Sequence, residues 1–175
     1  MKQVHIKHDL DSFSTKEVDS IVEYGDSLIL EEGRVKDERV DHSIRNSKIA
    51  WIHPKKETLW LFSKAIKVFQ SSLPFSTLQS MQYSLYYGTD KSHYTWHRDI
   101  GDDEIAKARV NVGVLQLSSP GEYKGGVLQI KLEDGEVIDV MKNKGMVTTF
   151  PIQLLHRVTP VTSGIRKPLI MWGLV

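Results

Sequence analysis

The chain contains no cysteine. That absence excludes a disulfide framework, a thiol nucleophile, an iron–sulfur cluster and any zinc site built on sulfur, so a bound metal must be held by His, Asp, Glu and water. Long apolar runs are missing too. Stretches such as Ile49-Ala50-Trp51-Ile52 and Leu169-Ile170-Met171-Trp172 fall far short of the roughly 18 residues that suggest a membrane span, and no membrane partner is expected. Met1 to Asp11 alternates charged and apolar positions without the continuous apolar stretch of a signal peptide, so the expected location is cytoplasmic. Neither sign of charge predominates. Lys and Arg number 23 against 22 Asp and Glu, which leaves no broad basic surface for displacing counterions, and nucleic acid is not an expected partner. With 175 residues, 40% hydrophobic and 26% charged, the composition fits one soluble globular domain and excludes disordered and collagen-like chains.

What is present changes character along the chain. Residues 3 to 8 alternate with the two-residue period of a strand, and Ser14-Thr15-Lys16-Glu17 is a capping box that should start a helix running to about Leu28. Glu31 to Lys56 mixes both charge signs and reads as loop, with one short strand at Lys48 to Ile52. From Glu57 to Ser71 the apolar residues Leu59, Phe62, Ile66 and Phe69 recur every three or four positions, the stripe of an amphipathic helix. After Pro74 the segments Thr77 to Tyr87, Arg109 to Ser118, Gly126 to Leu132, Glu136 to Met141, Met146 to Phe150, Arg157 to Val161 and Lys167 to Val175 are β-rich and of strand length. Asp134-Gly135 between two of them is a hairpin signal. The expected architecture is α+β but mainly β, with helices packed on one side of a sandwich or barrel. It is one domain, in which residues 1–76 form a helical support region and residues 77–175 the β core.

The chemistry centres on His97-Arg98-Asp99. The motif follows the strand-like run Tyr94-Thr95-Trp96, and two-residue alternation sends the His97 and Asp99 side chains to one face. Alone this is weak, because seven His and twelve Asp in this length give roughly half an instance of His-x-Asp by composition. His156 strengthens it, being the only histidine after Asp99 and 57 residues beyond it in a β-rich setting. Two imidazoles and a carboxylate can form a facial triad that leaves the remaining positions of an octahedral metal open. Arg166, ten residues after His156, supplies a fork suited to a carboxylate.

Taken with Tyr123-Lys124-Gly125-Gly126-Val127-Leu128 and His156-Arg157-Val158-Thr159-Pro160-Val161-Thr162, these residues resemble the prolyl 4-hydroxylase-like Fe(II)/2-oxoglutarate dioxygenases, in particular the small bacterial and phage members. The resemblance covers about Thr77 to Val175 and implies a double-stranded β-helix, or jelly roll. It implies Fe(II) held by His97, Asp99 and His156, 2-oxoglutarate held through its distal carboxylate by Arg166, and O₂ as oxidant, with ascorbate as a reductant. Tyr87 matches a tyrosine ten residues before the first ligand that reaches the cosubstrate side, while neighbouring Tyr86 would replace it if the register slips by one. Tyr94 matches an aromatic three residues before that ligand. Relatives carry a Tyr, Thr or Ser beside the arginine in the strand equivalent to Arg109 to Ser118; Val112 to Gln116 contains no tyrosine, which leaves the helper of Arg166 open.

The implied reaction couples oxidative decarboxylation of 2-oxoglutarate to hydroxylation of an unactivated C–H bond, with a prolyl residue in a protein or peptide as first expectation. A free amino acid or small metabolite, and a non-catalytic jelly-roll module that binds a metal or ligand, are the alternatives. A zinc hydrolase built on His93 and His97 is disfavoured because the glutamate of His-Glu-x-x-His is missing. Trp96 and Trp172 are expected to pack in the core. Arg45 to Trp51 reads as a charged connection ending in an edge strand, and it also resembles a segment before the barrel in small members of the family, which implies a part of the substrate rim.

Overall fold

A computed structural model describes residues 6–35, 39–70 and 74–175. Its two principal helices form where the sequence pattern asks for them. Thr15–Asp26 is opened by Ser14, whose hydroxyl accepts from the Glu17 amide while the Glu17 carboxylate accepts from the Ser14 amide, so both members of the capping box are in place. Leu59–Gln70 buries Leu61, Phe62, Ala65, Val68 and Phe69 along one stripe. A single turn, Glu104–Lys107, is capped by Asp103 in a segment whose sequence carries no helical periodicity.

Two antiparallel sheets make up the rest. Among the described residues the larger runs Lys7–Asp9, Val147–Pro151, Arg109–Gln116, Pro168–Leu174, Met81–Tyr87, Val161–Arg166 and Tyr123–Gly125, with Lys48–Ile52 also paired to Met81–Tyr87. The smaller sheet runs Val137–Asp139, Leu128–Lys131, Leu155–Val158, His93–His97 and Arg45–Asn46. This is the jelly roll, with the helices on the outer face of the larger sheet. Residues before 77 thus supply strands to both sheets as well as helices; the part of the first expected strand at residues 3–5 lies outside the described residues. The Asp134-Gly135 turn joins Leu128–Lys131 to Val137–Asp139 with Gln129 opposite Asp139, and Gly135 takes a positive φ of 93°.

Strand alternation divides the larger sheet into two surfaces. Met81, Tyr83, Leu85, Leu115, Leu169 and Met171 point outward and join Ile21, Leu61, Phe62 and Phe69 of the helices in one apolar core. Each such fully buried side chain contributes about 1.5–3 kcal/mol relative to leaving it in water. The residues between them, including Gln82, Tyr86, Val112, Val114, Pro168, Ile170 and Trp172, line the space between the two sheets. The candidate site lies there.

Candidate metal and cosubstrate site

Strand pairing brings the two histidines together. His97 ends the His93–His97 strand and stands opposite His156 of Leu155–Val158, with the ring centroids 4.2 Å apart. Asp99 arrives differently from the sequence expectation. The strand stops at His97, and Asp99 lies in a bend beyond it, so simple alternation does not place it. The bend is fixed instead by two donors: Trp172 Nε1 donates to Asp99 Oδ2 at 3.0 Å, and Arg109 Nη1 donates to the Asp99 backbone carbonyl at 3.1 Å. Each imidazole nitrogen Nε2 then faces one carboxylate oxygen, His97 at 3.5 Å and His156 at 3.6 Å. One ligand atom from each of the three residues lies within 4.8 Å of the others.

Hydrogen bonds on the far side of each ring settle which nitrogen is available. His97 Nδ1 is 2.7 Å from the Thr95 carbonyl and His156 Nδ1 is 3.0 Å from the Leu154 carbonyl. A carbonyl only accepts, so each Nδ1 carries a hydrogen and each Nε2 is turned toward Asp99, the arrangement that orients metal-binding histidines. Burial, then the charge of His156, push the His97 pKa down to about 4 despite Asp99. Burial would by itself raise the Asp99 carboxyl and lower His156, but attraction between the two outweighs it, holding Asp99 well below the usual carboxylate range and His156 above the usual imidazole value. A divalent cation among the three groups would compensate the buried Asp99 carboxylate. The donor set, nitrogen and carboxylate with no sulfur, suits a first-row metal such as Fe(II).

Arg166 is 2% exposed and lines the same cavity as the triad. Its cross-strand partner on Met81–Tyr87 is Tyr86, while Tyr87 pairs with Ile165. Partners directly opposite share a face, so Tyr86 stands inside the cavity, its ring centroid 5.5 Å from Arg166 Cζ. Tyr87 packs outward against the helical core with Met81, Tyr83 and Leu85. Tyr87, expected on the cosubstrate side, thus faces the helical core, and Tyr86 is the tyrosine that shares the cavity with Arg166, a one-residue change of register. The groups beside Arg166 come from two strands, Gln116 from Arg109–Gln116 and Tyr123 from Tyr123–Gly125. Tyr123 lies next to the guanidinium, which works against the rise that burial causes in its hydroxyl pKa. Its hydroxyl accepts from Gln116 Nε2 at 2.9 Å. Gly126, at φ 57°, has no room for a side chain, since a Cβ would lie 2.8 Å from Val161 Cγ2 and 3.1 Å from Arg166 Cδ. This gives the Gly125-Gly126 pair of the sequence motif a local reason.

Other expected residues separate from the site or join it unexpectedly. His93 Nδ1 is 3.1 Å from the Lys91 carbonyl and stands apart from the triad. Trp96 packs under the Arg157 guanidinium at 4.6 Å. Trp172, expected to pack, is buried but also holds a triad carboxylate through its indole N–H. Tyr94 stacks on His97 with centroids 3.4 Å apart. Two-residue alternation along Pro168–Leu174 is the sequence signal that places Trp172 on the cavity face with Pro168 and Ile170.

A profile of the 2OG-Fe(II) oxygenase superfamily matches residues 81–173, more than half of the chain. The chain belongs to this superfamily. Membership implies Fe(II), 2-oxoglutarate and O₂ as metal, cosubstrate and oxidant, in agreement with the donor set. A PKHD-type hydroxylase from Crocosphaera subtropica is 31% identical over 108 residues, covering 60% of this chain and 47% of that protein. Another from Azoarcus sp. is 34% identical over 109 residues, covering 59% and 46%. The chain thus spans about half the length of these curated relatives. Among solved structures, a Pseudomonas putida prolyl-4-hydroxylase superposes with a TM-score of 0.78 at 20% identity, covering 99% of this chain and 94% of that one. A Trichoplax adhaerens prolyl hydroxylase in complex with a hypoxia inducible factor peptide gives 0.80 at 16% identity, covering 97% and 83%. At these identities the superpositions establish the jelly-roll fold.

Proposed function

We propose that the protein is an Fe(II)- and 2-oxoglutarate-dependent hydroxylase whose substrate is a prolyl residue in a protein or peptide. The observation that carries this reading is the convergence of three ligand atoms, from His97, Asp99 and His156, in one cavity with a buried Arg166. In this reading the triad holds the metal, Trp172 keeps the Asp99 carboxylate in orientation, and the Thr95 and Leu154 carbonyls keep both histidines presenting Nε2. Arg166, with Tyr86, Tyr123 and Gln116 around it, binds the distal carboxylate of 2-oxoglutarate in a desolvated pocket, where a charge-assisted pair is strong. The bound metal supplies O₂ activation and the oxidising power to replace C–H by C–OH. The chain's own contribution is orientation and exclusion of water, with no acid–base residue required. The prolyl assignment draws support from the names of the relatives and from the peptide bound to the Trichoplax protein.

The test is succinate release from 2-oxoglutarate under air with Fe(II), with and without proline-containing peptides, free amino acids and small metabolites. Stimulation by prolyl peptides with a matching gain of one oxygen in the peptide is the expected result. Stimulation by a free amino acid or metabolite instead overturns the peptide assignment, and absence of succinate under every condition overturns the enzyme reading in favour of a binding module.

A further inference from the structure

Among the described residues, one positive charge that lines the cavity of the triad has no carboxylate partner. Arg45, on the short Arg45–Asn46 strand, is 7% exposed and stands directly opposite Tyr94 in cross-strand register. Its Nε donates to Ser47 Oγ at 2.9 Å and its Nη1 to the Arg34 carbonyl at 3.0 Å. Both acceptors are neutral, and no ion pair among the described residues involves Arg45. The guanidinium lies 4.8 Å from the centroid of Tyr94, the ring that stacks on His97. One aromatic ring thus separates it from a metal ligand. The surrounding backbone is shaped to admit it: a Cβ on Gly33 would lie 2.5 Å from both Arg45 Nε and Ser47 Oγ.

Burying a charge is costly unless something compensates it. The remaining charges of the loaded cavity balance, because Arg166 and a ferrous ion offset Asp99 and the two carboxylates of 2-oxoglutarate. Arg109, the other cation near the triad, differs in having the Asp103 carboxylate near enough to favour its charged form, besides its bonds to Gln79 Oε1 and the Asp99 carbonyl and its stacking on Trp172. The Arg45 charge is left for whatever enters the cavity, and a planar guanidinium fixed by neutral acceptors is suited to a carboxylate.

Resting on the oxygenase reading above, we propose that Arg45 is a substrate-binding residue that takes a carboxylate, so that the preferred substrates carry an acid group close to the hydroxylated residue. That group is either the free α-carboxylate of a C-terminal residue or the side chain of an adjacent Asp or Glu.

The test measures binding to the full chain loaded anaerobically with Fe(II) and 2-oxoglutarate, by calorimetry, for two matched pairs: acetyl-proline against acetyl-prolinamide, and acetyl-Pro-Glu-amide against acetyl-Pro-Gln-amide. The acid of one pair is expected to bind at least about tenfold more tightly than its neutral match, the scale of one charge-assisted hydrogen bond. The pair that shows it identifies the source of the carboxylate. Arg45→Gln should abolish the preference and Arg45→Lys retain part of it. Equal binding within both pairs by the unaltered protein, or no binding of any probe, overturns the inference without reliance on a variant. Metal and 2-oxoglutarate loading are read first, so failure there falls on the oxygenase reading, whereas normal loading without acid preference falls on Arg45 alone.

Discussion

The two faces of the large sheet are made from alternate residues of the same strands, yet they solve different problems. Facing outward, Met81, Tyr83, Leu85, Leu115, Leu169 and Met171 meet the two helices and form an apolar core. Facing inward, Gln82, Tyr86, Trp172 and the cross-strand Arg166 meet the smaller sheet around the cluster of His97, Asp99 and His156. The outer face derives its stability from area removed from water, which tolerates many hydrophobic side chains of similar volume. Inward, performance depends on donors and acceptors placed to within fractions of an ångström, where a single hydrogen bond such as that from Trp172 to Asp99 has no apolar substitute.

That contrast can be broken from either side. The larger effect is expected outside: Leu169→Ala, at a position with 0% exposure, should destabilise the fold by about 2–5 kcal/mol, read as a lowered midpoint in urea. Affinity for Fe(II) in the fraction that stays folded should be preserved, and a large loss there would show that the two faces are coupled. A smaller effect, and the converse one, is expected inside. Trp172→Phe keeps the ring in the cavity and removes the indole donor to Asp99, so Fe(II) affinity should fall by about 10–100-fold, with a smaller change in the urea midpoint than Leu169→Ala causes. Unchanged metal affinity would mean that Asp99 is oriented by the Arg109 contact alone.

The same division explains how much of the molecule was legible in its sequence. The capping box at Ser14 and the three-to-four spacing of Leu59–Gln70 marked both helices because they are local patterns. The strand at Lys48–Ile52 and the Asp134-Gly135 hairpin were readable for the same reason. Strands as short as Arg45–Asn46 or Tyr123–Gly125 carry too few residues for alternation to register and exist through their pairing with His93–His97 and Val161–Arg166. At the site, residue types and spacing singled out His97, Asp99, His156 and Arg166, but facing is decided by register. Tyr86 and Tyr87 are adjacent and chemically identical, and only the pairing of Arg166 with Tyr86 separates them. Tyr123 and Gln116 come from different strands, and their meeting beside Arg166 is a product of topology that spacing cannot express. Trp172 was legible as a buried aromatic, whereas its partner, Asp99, lies 73 residues away in sequence.

The central claim is that His97, Asp99 and His156 together hold one ferrous ion. Anaerobic calorimetric titration of the protein with Fe(II), beside the Asp99→Ala variant, tests it most directly. The account predicts one ion bound per chain and an affinity at least about 100-fold weaker in the variant, since losing a ligand should cost no less than losing an outer-shell partner. Equal affinity in the two proteins, or no Fe(II) bound by the unaltered chain, would contradict it.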